Sequence, residues 1–165
     1  MDFRIPFSGR AHLFTEEEIA AVVEAMQSAN PLTQGEYLVN FEKKFTAYVG
    51  AEKAFAVNNA TNGLELAAQL CQIESGDEVI IPAHTFTSSA YPFVKVGATI
   101  VWADVDLDTR VVSAETISRC VGPQTRVIVV PHLYGFAANM PDIVSLASES
   151  NLIVVEDAAQ ALGVS

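Results

Sequence analysis

Residues 151–163 read NLIVVEDAAQALG, an apolar run that ends in two acids, Glu156 and Asp157. The apolar residues are consecutive rather than alternating, which is typical of a parallel strand covered by helices on both faces. A carboxylate at the end of such a strand needs a positive partner, hydrogen-bond donors or a proton. No Lys or Arg stands next to Asp157, so two interpretations stay open: it pairs with a protonated ring nitrogen of a cofactor, or it caps the next helix.

Four further runs rich in Val and Ile lie between residue 50 and this one, at 53–57, 77–82, 98–105 and 125–131. Segments with helical spacing of their apolar residues separate the runs, at 61–73, 87–97, 113–122 and 139–151. This alternation predicts an α/β domain with a mostly parallel sheet and right-handed crossovers. Helices on both faces of that sheet would give three layers.

The first 50 residues have a different pattern. Thr15 and Glu18 form a capping-box pair at the start of one predicted helix, and a second predicted helix ends at Gly50. We therefore expect an N-terminal helical segment over residues 1–50 and a partial α/β domain over residues 51–165.

The composition narrows the classes of function. Half of the 165 residues are apolar and 18% are charged, as in a folded domain. The net charge of −11 argues against a nucleic-acid partner, because phosphate backbones require a basic face. A small anionic ligand stays possible, since backbone N–H groups at a helix start can bind a phosphate.

Cysteine usage and hydropathy indicate the compartment. Cys71 and Cys120 lie in apolar, helix-like segments, which favours two buried thiols in a reducing environment. No Cys/His spacing suggests a metal site. Neither a signal-like core nor a run of about 18 apolar residues is present, so we expect a cytoplasmic protein without a membrane partner.

Candidate binding residues follow the predicted strands, because ligands collect beyond the carboxyl ends of an open parallel sheet. Thr61 lies in the turn NNATNG at 58–63, which is either an anion-binding helix start or an ordinary N-cap. Phe86, within PAHTFTSS at 82–89, either stacks on a planar ligand or belongs to the core. We assign no catalytic role to His84 or His132.

Four stretches taken together resemble one family: LTQGEYLVNFEKKFTAYVGAEKAFAVNNATNGLELAAQL (32–70), GDEVIIPAHTFTSSAYPFVKVGATIVWADVD (76–106), VIVVPHLYGFAANM (127–140) and VVEDAAQALG (154–163). They are similar to the DegT/StrS-type aminotransferases, enzymes that use pyridoxal 5′-phosphate (PLP) and act mostly on nucleotide-linked keto-sugars. The resemblance implies the aspartate aminotransferase fold, PLP fold type I. The chain corresponds to the N-terminal part of the large domain, without the rest of that domain or the small domain.

The resemblance also implies roles for five residues. Asp157 corresponds to the aspartate that pairs with the pyridinium nitrogen of PLP, and Gln160 to the position that bonds the ring hydroxyl. Thr61 and Asn62 match the phosphate-binding turn, and Phe86 matches the aromatic that stacks on the ring. A carboxylate at the ring nitrogen keeps that nitrogen protonated, so the ring can withdraw electrons from a carbanion.

The family's catalytic lysine lies beyond the EDAAQ segment, so we assign no catalytic residue. The lysines of this chain stand at other positions: Lys43, Lys44, Lys53 and Lys95. The expected parent reaction transfers an amino group, with glutamate as donor, to a keto-sugar in polysaccharide or lipopolysaccharide biosynthesis. The chain alone is expected to be inactive.

Three other functions are to be compared with this one. A sugar dehydratase of the same fold would carry histidine in place of the lysine, and a non-catalytic regulatory or binding module would keep the half-site without the reaction. A generic nucleotide-binding domain is disfavoured, because no glycine-rich fingerprint follows the first strand. In the family, the strand at 53–57 pairs with one beyond the lysine. Here either that strand pairs elsewhere or an open edge remains beside the strand at 151–157, and we expect a homo-oligomer, in the family a dimer.

Overall fold

The computed structural model describes residues 13–31 and 33–164. The chain divides into two compact units, residues 1–56 and residues 57–165. The first unit contains helix α1 (Glu16–Ser28) and helix α2 (Glu36–Val49). The predicted capping box at the start of α1 is confirmed: the side chains of Thr15 and Glu18 bond each other's backbone N–H groups.

The second unit is built on a sheet of four parallel strands: β1 (Glu78–Pro82), β2 (Thr99–Ala103), β3 (Thr125–Pro131) and β4 (Ile153–Asp157). The strand order is β2-β1-β3-β4. The predicted parallel α/β fold is therefore confirmed.

Helices cover both faces of this sheet, as predicted. They are α3 (Ala60–Leu70), α4 (Tyr91–Lys95), α5 (Ala114–Ser118) and α6 (Met140–Glu149). One core cluster includes Ala68 of α3, Phe93 of α4 and Val79 of β1, and the other joins Ile80 of β1 to α5 and α6. Because successive strand residues point to opposite faces, neighbours such as Val79 and Ile80 belong to different clusters.

The strand predicted at 53–57 does not form, and this prediction was wrong. These residues have no regular secondary structure, and Phe55 is 77% exposed. An apolar run becomes a strand only where a neighbouring backbone accepts its hydrogen bonds. The four strands of the described sheet do not include it.

The strand order creates a crevice at the carboxyl ends of β1 and β3. From β1 the chain passes through α4 to β2 on one side, whereas the later connections lead through α5 and α6 to β3 and β4 on the other side. Ligands bind at such a reversal in open parallel sheets. Two one-turn 3-10 helices, Thr87–Ser89 and Leu133–Gly135, follow β1 and β3 there.

Across residues 13–31 and 33–164, none of the helices combines the length and the apolar character that crossing a bilayer requires.

Candidate functional site

A cavity of about 300 Å³ lies at this crevice in the second unit. Its walls come from the first turn of α3, the segments after β1 and β3, and the residues from the end of β4 onward. Four of the five predicted site residues line it: Thr61, Phe86, Asp157 and Gln160. Asn62, the fifth, is not among the lining residues.

The carboxylate of Asp157 is held by one donor on each oxygen. Ser89 Oγ donates to Oδ2 at 2.6 Å, and the backbone N–H of Ala159 donates to Oδ1 at 3.2 Å. The backbone carbonyl of Asp157 accepts from the N–H of His132 at 3.0 Å, which fixes the end of β4 against β3. A carboxylate has about four acceptor positions, so Asp157 keeps capacity for a further donor.

Ser89 was not singled out from the sequence. Its side chain is fully buried, and its Oγ also lies 2.9 Å from Thr85 Oγ1. A serine hydroxyl has one proton, which goes to Asp157, so Thr85 is the donor in the second bond. The signal available in the sequence was the run of hydroxyl residues in PAHTFTSS, but it does not say which of them turns inward.

The first turn of α3 faces the cavity with unpaired donors. Asn59 is the N-cap and accepts from the N–H of Asn62, so an ordinary cap is present. Within the described residues, the N–H groups of Ala60 and Thr61 have no hydrogen-bond partner. Thr61 Oγ1 donates to Ser88 Oγ at 2.9 Å, whereas the amide of Asn62 turns away to Asn58. Such an N-terminus attracts an anion.

Phe86 precedes the 3-10 turn after β1 and is 65% exposed, so it is not a core aromatic. Its backbone carbonyl accepts from the N–H of Ser89 at 3.0 Å. An aromatic ring at the wall of a cavity can stack on a planar ligand.

The orientation of the Gln160 amide follows from its partner. Its Oε1 accepts from the backbone N–H of Tyr134 at 2.7 Å. The oxygen is therefore occupied, and the NH2 group is the donor that Gln160 retains. Tyr134 has a φ of 57°, a backbone conformation that residues other than glycine rarely adopt. The hydrogen bond to Gln160 helps to hold this conformation.

His132 lies in the cavity wall and is 7% exposed. Its Nδ1 accepts from the N–H of Ala138, which leaves the ring proton on Nε2, 2.9 Å from Glu156 Oε2. With both nitrogens bonded to protein groups, the imidazole anchors the segment after β3.

A metal site or a reactive lysine at the cavity would require particular side chains among the described residues. No three His, Cys, Asp or Glu residues cluster there in a way that could hold a metal. Lys95 is the lysine of the second unit, and its Nζ donates to Glu65 at 3.1 Å. This hydrogen bond raises the Lys95 pKa, and Lys95 is not among the cavity-lining residues.

Sequence comparison finds curated relatives of more than twice the length. The chain is 39% identical over 142 residues to the GDP-perosamine synthase of Caulobacter vibrioides, an alignment that covers 86% of this chain and 38% of the relative. The chain thus corresponds to less than half of that protein.

Solved structures give the same relationship. An aminotransferase from Psychrobacter cryohalolentis superposes with a TM-score of 0.88 at 38% identity, over 96% of this chain and 40% of the other. A sugar aminotransferase from Streptococcus pneumoniae, solved in its PLP form, gives a TM-score of 0.86 at 29% identity, over 98% of this chain and 44% of the other.

The sequence profile of the DegT/DnrJ/EryC1/StrS aminotransferase family matches residues 13–165, almost the whole chain. Structures of its members with PLP or with pyridoxamine 5′-phosphate (PMP) bound share the fold of this sheet. The chain therefore belongs to the DegT/DnrJ/EryC1/StrS family of PLP-dependent aminotransferases.

Proposed function

We propose that this chain provides the cofactor half-site of a PLP-dependent aminotransferase that acts on a nucleotide-linked keto-sugar. One observation carries the proposal: residues from α3, the segment after β1 and the end of β4 converge on one cavity, with a carboxylate, an amide, an aromatic ring and a helix start around it. Each group fits a different part of the cofactor.

The chemistry of the donors and acceptors tests the fit. Asp157 has free acceptor capacity for a protonated ring nitrogen, and Gln160 has a free NH2 for the ring oxygen. The unpaired N–H groups of Ala60 and Thr61 suit the phosphate. Phe86 supplies an exposed flat surface for the ring. Thr61, Phe86, Asp157 and Gln160 line one cavity, which supports their proposed roles, and Asn62 contributes through the α3 start.

When bound, the cofactor supplies an electron sink for negative charge at the substrate carbon. The chain's own residues serve that chemistry by orientation and charge. Asp157 holds a proton on the ring nitrogen, because an ionised carboxylate strengthens the N–H···O bond. The start of α3 fixes the phosphate end, and Phe86 restricts the tilt of the ring.

The proposals for the substrate and the amino donor are based on membership of the family. GDP-perosamine synthase, the relative from Caulobacter, carries a nucleotide-sugar name, which supports a nucleotide-linked keto-sugar here. We propose glutamate as the amino donor and a homodimer as the working form. The two free thiols, Cys71 and Cys120, support a reducing, cytoplasmic location.

We further propose that these 165 residues bind the cofactor without transferring an amino group. The amine of Lys95 pairs with Glu65, outside the cavity lining. Borohydride treatment in the presence of PLP should then give no site-specific lysine adduct. A single modified lysine, abolished by excess PMP, would contradict this part of the proposal.

Titration with PMP tests the cofactor site, because PMP has no aldehyde and binds without a lysine. We expect calorimetry to show saturable binding of PMP. Asp157→Asn should weaken this binding by roughly tenfold or more, since a charge-assisted hydrogen bond is lost. Asp108→Asn, an exposed acid in the loop after β2, is the matched control and should leave the affinity unchanged. Equal affinities for wild type and Asp157→Asn would refute the assignment of Asp157.

A further inference from the structure

A chain of two hydroxyl groups ends on Asp157. Thr85 Oγ1 lies 2.9 Å from Ser89 Oγ, and Ser89 Oγ donates to Asp157 Oδ2 at 2.6 Å. The side chain of Ser89 is fully buried, whereas Thr85 is half-buried. The direction of both protons is set, because an ionised carboxylate accepts only.

Ser89 also connects the carboxylate to the aromatic wall. Its backbone N–H donates to the carbonyl of Phe86 at 3.0 Å, in the 3-10 turn that follows Phe86. One residue therefore bonds the group proposed to meet the ring nitrogen and the residue proposed to cover the ring face. A displacement of Ser89 would change both at once.

We propose that Ser89, oriented by Thr85, is the positioning residue that fixes the Asp157 carboxylate for a heteroaromatic ring nitrogen. This inference rests on the proposed function and deepens it. The Ala159 N–H holds only Oδ1, so without Ser89 the carboxylate has a single donor and can rotate about its χ2 torsion. A rotating carboxylate meets the ring nitrogen with poorer alignment and stabilises its proton less.

The alternative is that Ser89 fills space in the core. A packing role predicts that removal of the hydroxyl lowers stability and leaves the protonation of a bound ring unchanged. A positioning role predicts a change in that protonation, which a purely structural residue would not produce. The probe is therefore PMP carrying a 15N label in its ring, bound to the 165-residue chain.

Ser89→Ala should weaken PMP binding about fivefold, because a carboxylate that Ser89 no longer orients has to be immobilised when the ligand binds. It should also lower the pH at which the bound ring nitrogen loses its proton by about half a unit or more, read from the 15N chemical shift. Ser89→Thr keeps the hydroxyl, so its PMP affinity and its ring-proton midpoint should both stay close to those of the wild type. Thr85→Val removes the donor to Ser89. It should lower the PMP affinity and the ring-proton midpoint as Ser89→Ala does, but by smaller amounts.

Ser118→Ala is the matched control, since Ser118 Oγ bonds a helix carbonyl on the exposed side of α5. If Ser89→Ala does not fold, Thr85→Val gives the decisive comparison. An unchanged ring-proton midpoint in every folded variant would overturn the inference while leaving the cofactor site intact. Failure of the wild-type chain to bind PMP would overturn the proposed function, and this inference with it.

Discussion

At the residue scale, Asp157 has to be partly desolvated and still be stable without a bound ligand. A carboxylate at the end of a strand must be partly desolvated to act strongly on a ligand, yet desolvation without donors is costly. Ser89 and Ala159 each supply one hydrogen bond, which lowers that cost without saturating the acceptor positions. The residue is thus stable before a ligand arrives and still able to bind one.

Asp106 gives a prediction of pH dependence at this scale. The N–H groups of Thr109 and Asp108 bond its Oδ1 and hold the pKa of Asp106 below its ordinary value. A lowered pKa means that the folded state favours the ionised form. The resulting stabilisation is present above the unfolded pKa, about 4, and is lost as the pH falls through the folded value.

We therefore expect Asp106→Asn to lower the free energy of unfolding at pH 6, and this difference from wild type to shrink towards pH 3. Urea unfolding at both pH values measures it. Asp108→Asn is the control, because it removes an exposed acid from the same loop and leaves both N–H donors to Asp106 in place. If the difference in free energy of unfolding between wild type and Asp106→Asn grows as the pH falls, the predicted direction of the pH dependence is wrong.

The sequence predicts candidate site residues where a residue's chemistry is unusual for its position, and it gives no signal for a residue whose surroundings depend on the fold. Asp157 is predicted as a site residue because an acid ends an apolar run, and Phe86 because an aromatic residue follows a strand. Ser89 is one of many hydroxyl residues, and its importance follows from its burial and from a partner 68 positions away. A contact of that separation is set by the sheet order and is invisible in local spacing.

At the scale of elements, helix α5 depends on its cap. It has five residues, and Ser113 and Thr116 bond each other's backbone N–H groups at its start. Ser113→Ala should lower the free energy of unfolding by about 1 kcal/mol, because the hydrogen bond from the Thr116 N–H to Ser113 Oγ is lost. Chemical denaturation measures the change.

Ser118→Ala, in the last turn of the same helix, serves as the control and should change stability little. If both variants lose the same amount of stability, the loss reflects helix composition, and the cap explanation fails.

Strand prediction succeeded where apolar runs are buried between two layers and failed at the one run for which the described sheet has no partner strand. Residues 125–131 form β3, which lies between two neighbours and is almost entirely buried. Residues 53–57 are also mostly apolar but form no strand. The pattern reports the tendency of a segment to be buried, whereas pairing depends on which other segments are available.

At the scale of the whole molecule, the edge of the sheet leads to a prediction about association. In the described sheet β4 pairs only with β3, and Ile153 on β4 is 46% exposed. An edge with free backbone groups and apolar side chains favours contact with another chain. We expect light scattering to give a mass above that of one chain.

Ile153→Lys should shift the population towards one chain, because a charge on an edge strand opposes pairing. Val144→Lys, at an exposed apolar position on α6, is the control. A single-chain mass for wild type over a wide concentration range would contradict the expected homo-oligomer.

The most direct test of the central claim is a crystal structure of the chain with PMP. We expect the ring nitrogen about 3 Å from an Asp157 carboxylate oxygen, the ring against Phe86 and the phosphate at the start of α3. PMP bound elsewhere, or bound here with its phosphate towards Asp157, would contradict it.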